Sequence, residues 1–301
     1  MSHLTTRGTQ LSATGAEELG LGVPGCAHPL LAPTEWAGLS RPGAPLHWVV
    51  LNVANGPGER PDPHCLAAAG RLTNAGVRVL GHLDLAYGWR SHHDLIAEAQ
   101  HYLQWYRVGG FLLDRCPVDR VDLPAVRRVT GTLAALSDGG HLVLGHGTHP
   151  YPGYMEAADQ LVTFSGPWAD YRWSQVAEWT ANHPPERFAH FVHGVPRTHL
   201  EEATRIARWQ GAGTIFFTDR TDRLDRLGRL DGDGDADADR PEPPPSLDEL
   251  VDGTGMGALQ GQRHQSALRL GGAQSGQIAP FETLPGYWDE FVSQIGPGVS
   301  E

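Results

Sequence analysis

Eight short apolar runs recur between Leu21 and Arg220, at residues 22–27, 47–53, 77–83, 110–113, 141–145, 160–164, 188–192 and 214–218. Each has the length of a strand, and most are continuous rather than alternating. Strands of a parallel sheet, buried on both faces, read this way. Amphipathic stretches separate them. Ser91 stands three residues before Asp94, and a helical period opens at Leu95; Thr198 and Glu201 repeat the arrangement ahead of Ile206 and Trp209. Both pairs predict a capped helix start. Gly76, Gly109 and Gly211 follow helical stretches, where left-handed stop residues belong. Eight strands, each followed by a helix or helix-like loop, predict an α/β fold, a single (β/α)8 TIM-type barrel. The competing fold, an open doubly wound sheet, asks for a glycine-rich phosphate loop after its first strand. Residues 22–25 read Gly-Val-Pro-Gly, which lacks that spacing, and Pro24 has no amide to offer a phosphate.

The pattern fails twice. Residues 1–20 are polar and rich in Gly and Thr, which predicts a disordered N-terminal tail before a barrel spanning 21–220. Residues 221–279 carry an alternating Asp run from Asp231 to Asp239, a proline cluster from Pro241 to Pro245, and a Gly/Gln/Ser-rich stretch. Such a composition cannot bury enough apolar surface to offset its ordering entropy. Apolar and aromatic residues return from Pro280 to Trp288, and a helical period follows to Ile295. The segment 221–279 is therefore read as an acidic, disordered insertion, and 280–301 as the barrel's closing segment and helix.

Composition narrows the chemistry. The chain of 301 residues has 23 basic side chains, all arginine, so lysine Schiff-base and lysine-nucleophile mechanisms are excluded. Its formal net charge is -12, and residues 231–252 alone hold nine acidic residues against one arginine. The remainder is near neutral, so no nucleic-acid footprint is expected. No apolar run has the roughly 18 residues of a membrane span, and the first twenty residues lack the basic start and apolar core of a secretory leader. The expectation is a cytoplasmic protein with no membrane partner. Cys26, Cys65 and Cys116 are odd in number and form no CxxC pair, so they are expected to be small packed thiols.

The strand ends carry further text. The second strand reads VVLNVANGPG over residues 49–58; the third reads VLGHLDLAYG over 79–88 and leads to Arg90. The fourth reads GGFLLD over 109–114, the eighth GTIFFTD over 213–219, and residues 280–288 read PFETLPGYW. In this order and spacing they resemble the spherulin-4 (spherulation-specific family 4) proteins over about residues 21–220 and 280–295. The resemblance implies a TIM-type barrel. It also implies kinship with glycoside hydrolases that cut α-1,4-linked galactosamine-containing polysaccharides with active-site carboxylates, and hence an amino-sugar glycan as partner, with no cofactor.

Active sites of such barrels lie at the C-terminal strand ends, which here hold Asp84, Asp114, Ser165, His193 and Asp219. Glycoside hydrolysis ordinarily needs two carboxyl groups, one to protonate the leaving oxygen and one to attack carbon or activate water. Asp114 matches the aspartate of the family's fourth-strand motif. The glutamate that the resemblance implies next to it is Arg115 here, and the implied sixth-strand glutamate falls at Ser165. Serine cannot exchange a proton near neutrality as a carboxyl can. Arg115 is expected to hold Asp114 ionised, which suits a nucleophile, and leaves Asp84 as acid/base partner. Asp84 and Asp114 on neighbouring strands about 4.8 Å apart fall within the retaining-enzyme separation of about 5–5.5 Å; Asp219 and Asp170 are weaker substitutes. Tyr87, Trp89, Tyr151, Tyr154, Trp168, Tyr171 and Trp173 fall on predicted strand-to-helix loops, where flat ring faces suit saccharide stacking. Arg115, Ser165, His193 and Asp219 complete the expected substrate-binding set.

Three function classes stay open at this point: a glycan-binding barrel, an active hydrolase using Asp114 and Asp84, and a metal-dependent hydrolase or protein-interaction module. His28, His82, His146, His149 and His193 lie near strand ends beside Asp84 and Asp114, and imidazole with carboxylate is the usual zinc set of hydrolases. No HxH pair sits on one strand, and no metal is assigned. Asp231, Asp233, Asp235, Asp237, Asp239 and Glu242 have the spacing of a calcium loop, but Ala236 stands where its sharp turn needs glycine. The run is read as a solvated linker able to take a protein partner.

Overall fold

The computed structural model describes residues 19–221 and 280–295. The expectations for the N-terminal tail and the acidic insertion otherwise lie outside these residues. Eight parallel strands close in sequential order into a barrel: β1 (Gly20–Val23), β2 (Leu46–Leu51), β3 (Arg78–Asp84), β4 (Gly110–Asp114), β5 (His141–Gly145), β6 (Gln160–Pro167), β7 (Phe188–His193) and β8 (Thr214–Phe217). The helices are α1 (Pro33–Leu39), α2 (Pro63–Asn74), α3 (His92–Tyr106), α4 (Leu123–Leu136), the single turn α5 (Trp168–Tyr171), α6 (Leu200–Trp209) and α7 (Trp288–Ile295). The predicted barrel is the observed one, with a thin helical layer after β5 and β6.

The interior is identified by its hydrogen bonds. Trp48 Nε1 donates to Gln160 Oε1 at 3.0 Å, and Gln160 Nε2 donates to Thr214 Oγ1 at 2.8 Å. These residues come from β2, β6 and β8, so they meet across the barrel axis. A Cβ on Gly81 would lie 2.8 Å from the Tyr102 ring of α3, so Gly81 faces the helices. Alternation then turns His82 and Asp84 inward. Asp84 pairs in register with Asp114, and His82 with Leu112.

Four local readings are corrected. β1 begins at Gly20, inside the expected tail, and ends at Val23, because Pro24 cannot donate to a ladder. β6 runs on to Pro167 after a register shift between Val162 and Phe164. Thr198 does not cap α6; a 3-10 turn from Arg197 to His199 precedes it, and the Thr198 hydroxyl is spent on His199 Nδ1. Gly109 is not the left-handed stop of α3, since Arg107 takes that conformation at φ 54°.

Ser91 does cap α3: its side chain accepts the Asp94 amide at 3.1 Å. Ser91→Ala is expected to cost about 1 kcal/mol, read as a fall of roughly 2–4 °C in Tm. An unchanged melt would show the cap to be idle.

The closing segment completes the mouth of the barrel. Phe281 sets its ring 6.1 Å from Phe191, 5.7 Å from His193 and 6.3 Å from Phe216. Phe291 of α7 stacks on Phe217 at 5.4 Å. No helix among the described residues is long and apolar enough to cross a membrane.

Candidate functional site

The centre of the mouth is a pair of carboxylates on adjacent strand ends. Asp84 and Asp114 are register partners in a parallel ladder, which puts both side chains on the inner face. Their environments differ sharply. Asp84 receives the Arg115 guanidinium through Nε to Oδ1 at 2.8 Å and Nη2 to Oδ2, and also accepts the Ala86 amide at 2.8 Å. Burial opposes its charge, but the Arg115 hydrogen bonds, the Ala86 amide and the Arg115 charge hold its carboxyl below the ordinary value. Asp114 is 1% exposed. Burial pushes its carboxyl up, and the nearby Asp84 charge adds to this; the His82 ring and the Arg115 amide pull the other way and do not prevail.

This reverses an expectation. Arg115 pairs with Asp84, not with its sequence neighbour Asp114. The reason is backbone geometry: Arg115 leaves β4 in the left-handed region at φ 48°, which swings its side chain over β3. Ala86 and Tyr87 are left-handed too, at φ 45° and 58°. The strained residues hold one another, since the Tyr87 amide donates to the Arg115 carbonyl at 2.7 Å and Leu85 to the Asp114 carbonyl at 2.9 Å. The Arg115 guanidinium lies 5.7 Å from the centre of the Tyr87 ring. Three left-handed non-glycine residues beside one carboxylate pair mark a place where the surrounding fold imposes conformation, as functional sites do.

The inner face of the barrel holds buried polar atoms lacking partners, at Asp114 and His82 and, separately, on β6. His82 Nε2 stands 3.5 Å from Asp114 Oδ2, longer than a settled hydrogen bond. Asp114 Oδ1, both ring nitrogens of His82 and Ser165 Oγ have no hydrogen-bond partner among the described residues. Ser165 is in register with Phe191, whose ring meets Trp48 inside the barrel, so its hydroxyl also points inward. Gly145 makes room for Asp114, since a Cβ there would lie 3.3 Å from Asp114 Oδ1. The sequence offers His82 only as a candidate metal ligand. The signal that places it beside Asp114 is the period of two in Gly81-His82-Leu83-Asp84, which gives His82 and Asp84 one face.

Other expected residues disperse. Trp89 is 90% exposed, and Tyr87 and Tyr151 are partly exposed, on loops at the C-terminal strand ends; Trp173 is exposed too, but it follows α5 down the flank, where the next residue, Ser174, accepts Gln210 Nε2 from the far end of α6 at 2.8 Å. Trp168, Tyr171 and Tyr154 are buried and cannot offer a ring face to a sugar. Tyr171 packs on Phe164 and Phe217, and its hydroxyl pairs with His190 Nδ1 at 2.9 Å, because β6 extends further than expected and α5 folds back beneath the rim. Asp219 accepts the Gly286 amide at 3.1 Å and so ties β8 to the closing segment. Asp170 is exposed on α5, which opens directly after β6. His193 is buried against Phe281.

The histidines do not gather around Asp84 and Asp114 as a metal site. His146 Nδ1 is bound to the Pro117 carbonyl at 2.9 Å, and burial pushes its ring pKa down to about 3. His28 lies instead with Asp62 and Cys65. All three cysteines are buried and unpaired.

Residues 27–230 match the model of the family described as Spherulin4, spherulation-specific family 4. Spherulin-4 of Physarum polycephalum is 25% identical over 171 residues, covering 56% of this chain and 51% of that one. The chain thus spans about half the length of this curated relative. Among solved structures, Sph3 of Aspergillus clavatus in complex with GalNAc matches with a TM-score of 0.65 and 20% identity, covering 92% of this chain and 97% of that one. The glycoside hydrolase domain of PelA from Pseudomonas aeruginosa matches with a TM-score of 0.41 and 16% identity, over 67% of this chain and 95% of that one. The likeness to Sph3 is one of fold; membership rests on the family model, which spans well over half of the chain. The chain belongs to the spherulation-specific family 4.

Proposed function

We propose that this barrel binds an amino-sugar glycan of the galactosamine type at its C-terminal mouth and does not turn it over. The observation that carries the reading is the set of inward-facing buried atoms without partners, Asp114 Oδ1, the His82 ring nitrogens and Ser165 Oγ. Buried polar atoms without partners are costly, and they persist where a ligand satisfies them. Sugar hydroxyls and an amide or amine are donors and acceptors of the right kind. Trp89, with Tyr87 and Tyr151, supplies exposed ring faces around the same mouth. GalNAc is bound by the structurally similar Sph3, which supports this class of ligand.

The groups beside Asp114 support absence of turnover. The positions where the family resemblance implies further carboxylates carry Arg115 and Ser165. Asp84, the remaining carboxylate, has both oxygens engaged by Arg115. A carboxylate held ionised in this way has no proton to give near neutrality and is a poor general base.

One observation favours the second reading, an active hydrolase. The two carboxyl groups are pushed in opposite directions, Asp114 up and Asp84 down. Acid and base pairs are tuned like this. In that reading Asp114 is the protonated acid and Asp84 the ionised partner, the reverse of the roles expected from sequence.

The test is to incubate the chain with galactosamine-containing oligosaccharides, following binding by calorimetry and products by mass spectrometry. Saturable binding without cleavage is the expected result. Cleavage that vanishes in Asp114→Asn would establish the hydrolase instead, and no binding at all would defeat both readings. In the same titration Trp89→Ala is expected to weaken affinity about 3–10-fold, the worth of one lost stacking face. Unaltered affinity would remove Trp89 from the groove.

A further inference from the structure

We infer that His28, Asp62 and Cys65 form a binding site for a divalent cation of the zinc class, distinct from the carboxylate pair. His28 lies on the loop between β1 and α1, while Asp62 and Cys65 open α2. Their ligand atoms all lie within 4.8 Å of one another. His28 Nε2 and Asp62 Oδ2 are 3.3 Å apart. Tetrahedral zinc, with bonds of about 2.0–2.3 Å, spaces its ligand atoms by about 3.3–3.8 Å. The pair already has that spacing, and Cys65 Sγ reaches it with a shift of about 1 Å or less.

The carboxylate is oriented in advance. Asp62 Oδ1 accepts the amides of His64 at 2.8 Å and Cys65 at 2.9 Å, as the N-cap of α2. Oδ2 is left directed at His28. Hydrogen bonds of this kind fix a metal-binding carboxylate in place. The donor set selects the metal. Thiolate, imidazole and one carboxylate oxygen suit zinc and its cobalt analogue, whereas magnesium and calcium take oxygen ligands. Binding releases the Cys65 thiol proton to solvent. His28 coordinates through Nε2, so its ring proton moves to Nδ1 and the 3.2 Å contact from the Leu30 amide is given up. That contact is exposed and long, so its loss is small beside the metal bond that His28 gains.

The fourth position is open. A cavity borders the site, lined by His28, Asp62, Pro63, Glu59 and Arg60. Three protein ligands with one position facing a cavity admit a water molecule or a ligand atom. His64 is exposed, its ring 6.3 Å from that of His28, and is not a ligand in this assignment.

The experiment titrates the full chain, stripped with chelator, with cobalt(II). One equivalent is expected to produce a near-ultraviolet thiolate-to-cobalt charge-transfer band, which zinc then displaces. Cys65→Ser is expected to abolish the band, His28→Ala to weaken cobalt affinity at least about tenfold, and Cys26→Ser and His64→Ala to leave it unchanged. A wild-type chain without the band overturns the proposal, as does a band that survives in Cys65→Ser. Should Cys65→Ser fail to fold by circular dichroism, His28→Ala decides, because its residue is partly exposed: unchanged cobalt affinity there overturns the site.

Discussion

Arg115→Ala is expected to destabilise the barrel by about 2–3 kcal/mol, a fall of roughly 4–12 °C in Tm. The variant leaves Asp84 as a nearly buried carboxylate without its guanidinium, retaining only the Ala86 amide. Removing one member of a buried pair costs about 3–5 kcal/mol, and the 34% exposure of the Arg115 side chain lowers that figure. The effect has a pH signature. With its folded value held below 3.8, Asp84 contributes stability that is present above 3.8 and lost as pH falls through the folded value. Arg115→Ala removes most of that contribution, so wild type and variant converge in acid. Adding Asp84→Ala is expected to recover part of the loss, because the uncompensated charge disappears. Thermal melts of wild type, Arg115→Ala, Asp84→Ala and the double variant between pH 3 and pH 7 check this, and Arg115→Ala within about 0.5 kcal/mol of wild type would show the pair to be energetically idle.

Asp114→Asn is expected to do the opposite near neutral pH, stabilising the fold by about 1–2 kcal/mol while weakening glycan binding at least about tenfold. The folded value of Asp114 is raised, so the native chain holds a proton that the unfolded chain gives up. Stability therefore falls as pH rises from about 3.8 through the folded value, and above that value the ionised carboxylate is a net cost. Asparagine has the same shape and no charge to desolvate. Its amide also replaces one of the two carboxyl oxygens that a sugar hydroxyl would meet. Paired denaturation curves across pH, with calorimetric glycan titrations, test both halves. A variant less stable than wild type at pH 7 would mean that the Asp114 charge is stabilised where it sits.

The barrel was legible because its signal is local. A continuous apolar run such as residues 110–113 buries both faces in any closed parallel sheet, and the Ser91 cap operates within one turn. The site was legible only in part. Asp84 and Asp114 were found because both end apolar runs, and their registration follows from adjacency of the strands. The partner of Arg115 was not readable, since it depends on a left-handed residue, and nothing in Asp114-Arg115 announces φ 48°. Trp168 and Tyr171 were misplaced because the length of β6 is fixed by its ladder with β7, up to Pro167 against His193. Asp219 looked like a site carboxylate until Gly286, 67 positions later in the chain, claimed its oxygen.

The most direct test of the central claim is a crystal structure of the chain with a galactosamine-containing oligosaccharide. The predicted result is an intact sugar in the mouth, with polar groups within about 3 Å of Asp114 Oδ1 and Ser165 Oγ, and Asp84 still held by Arg115. A sugar bound elsewhere, leaving those atoms without partners, would contradict it.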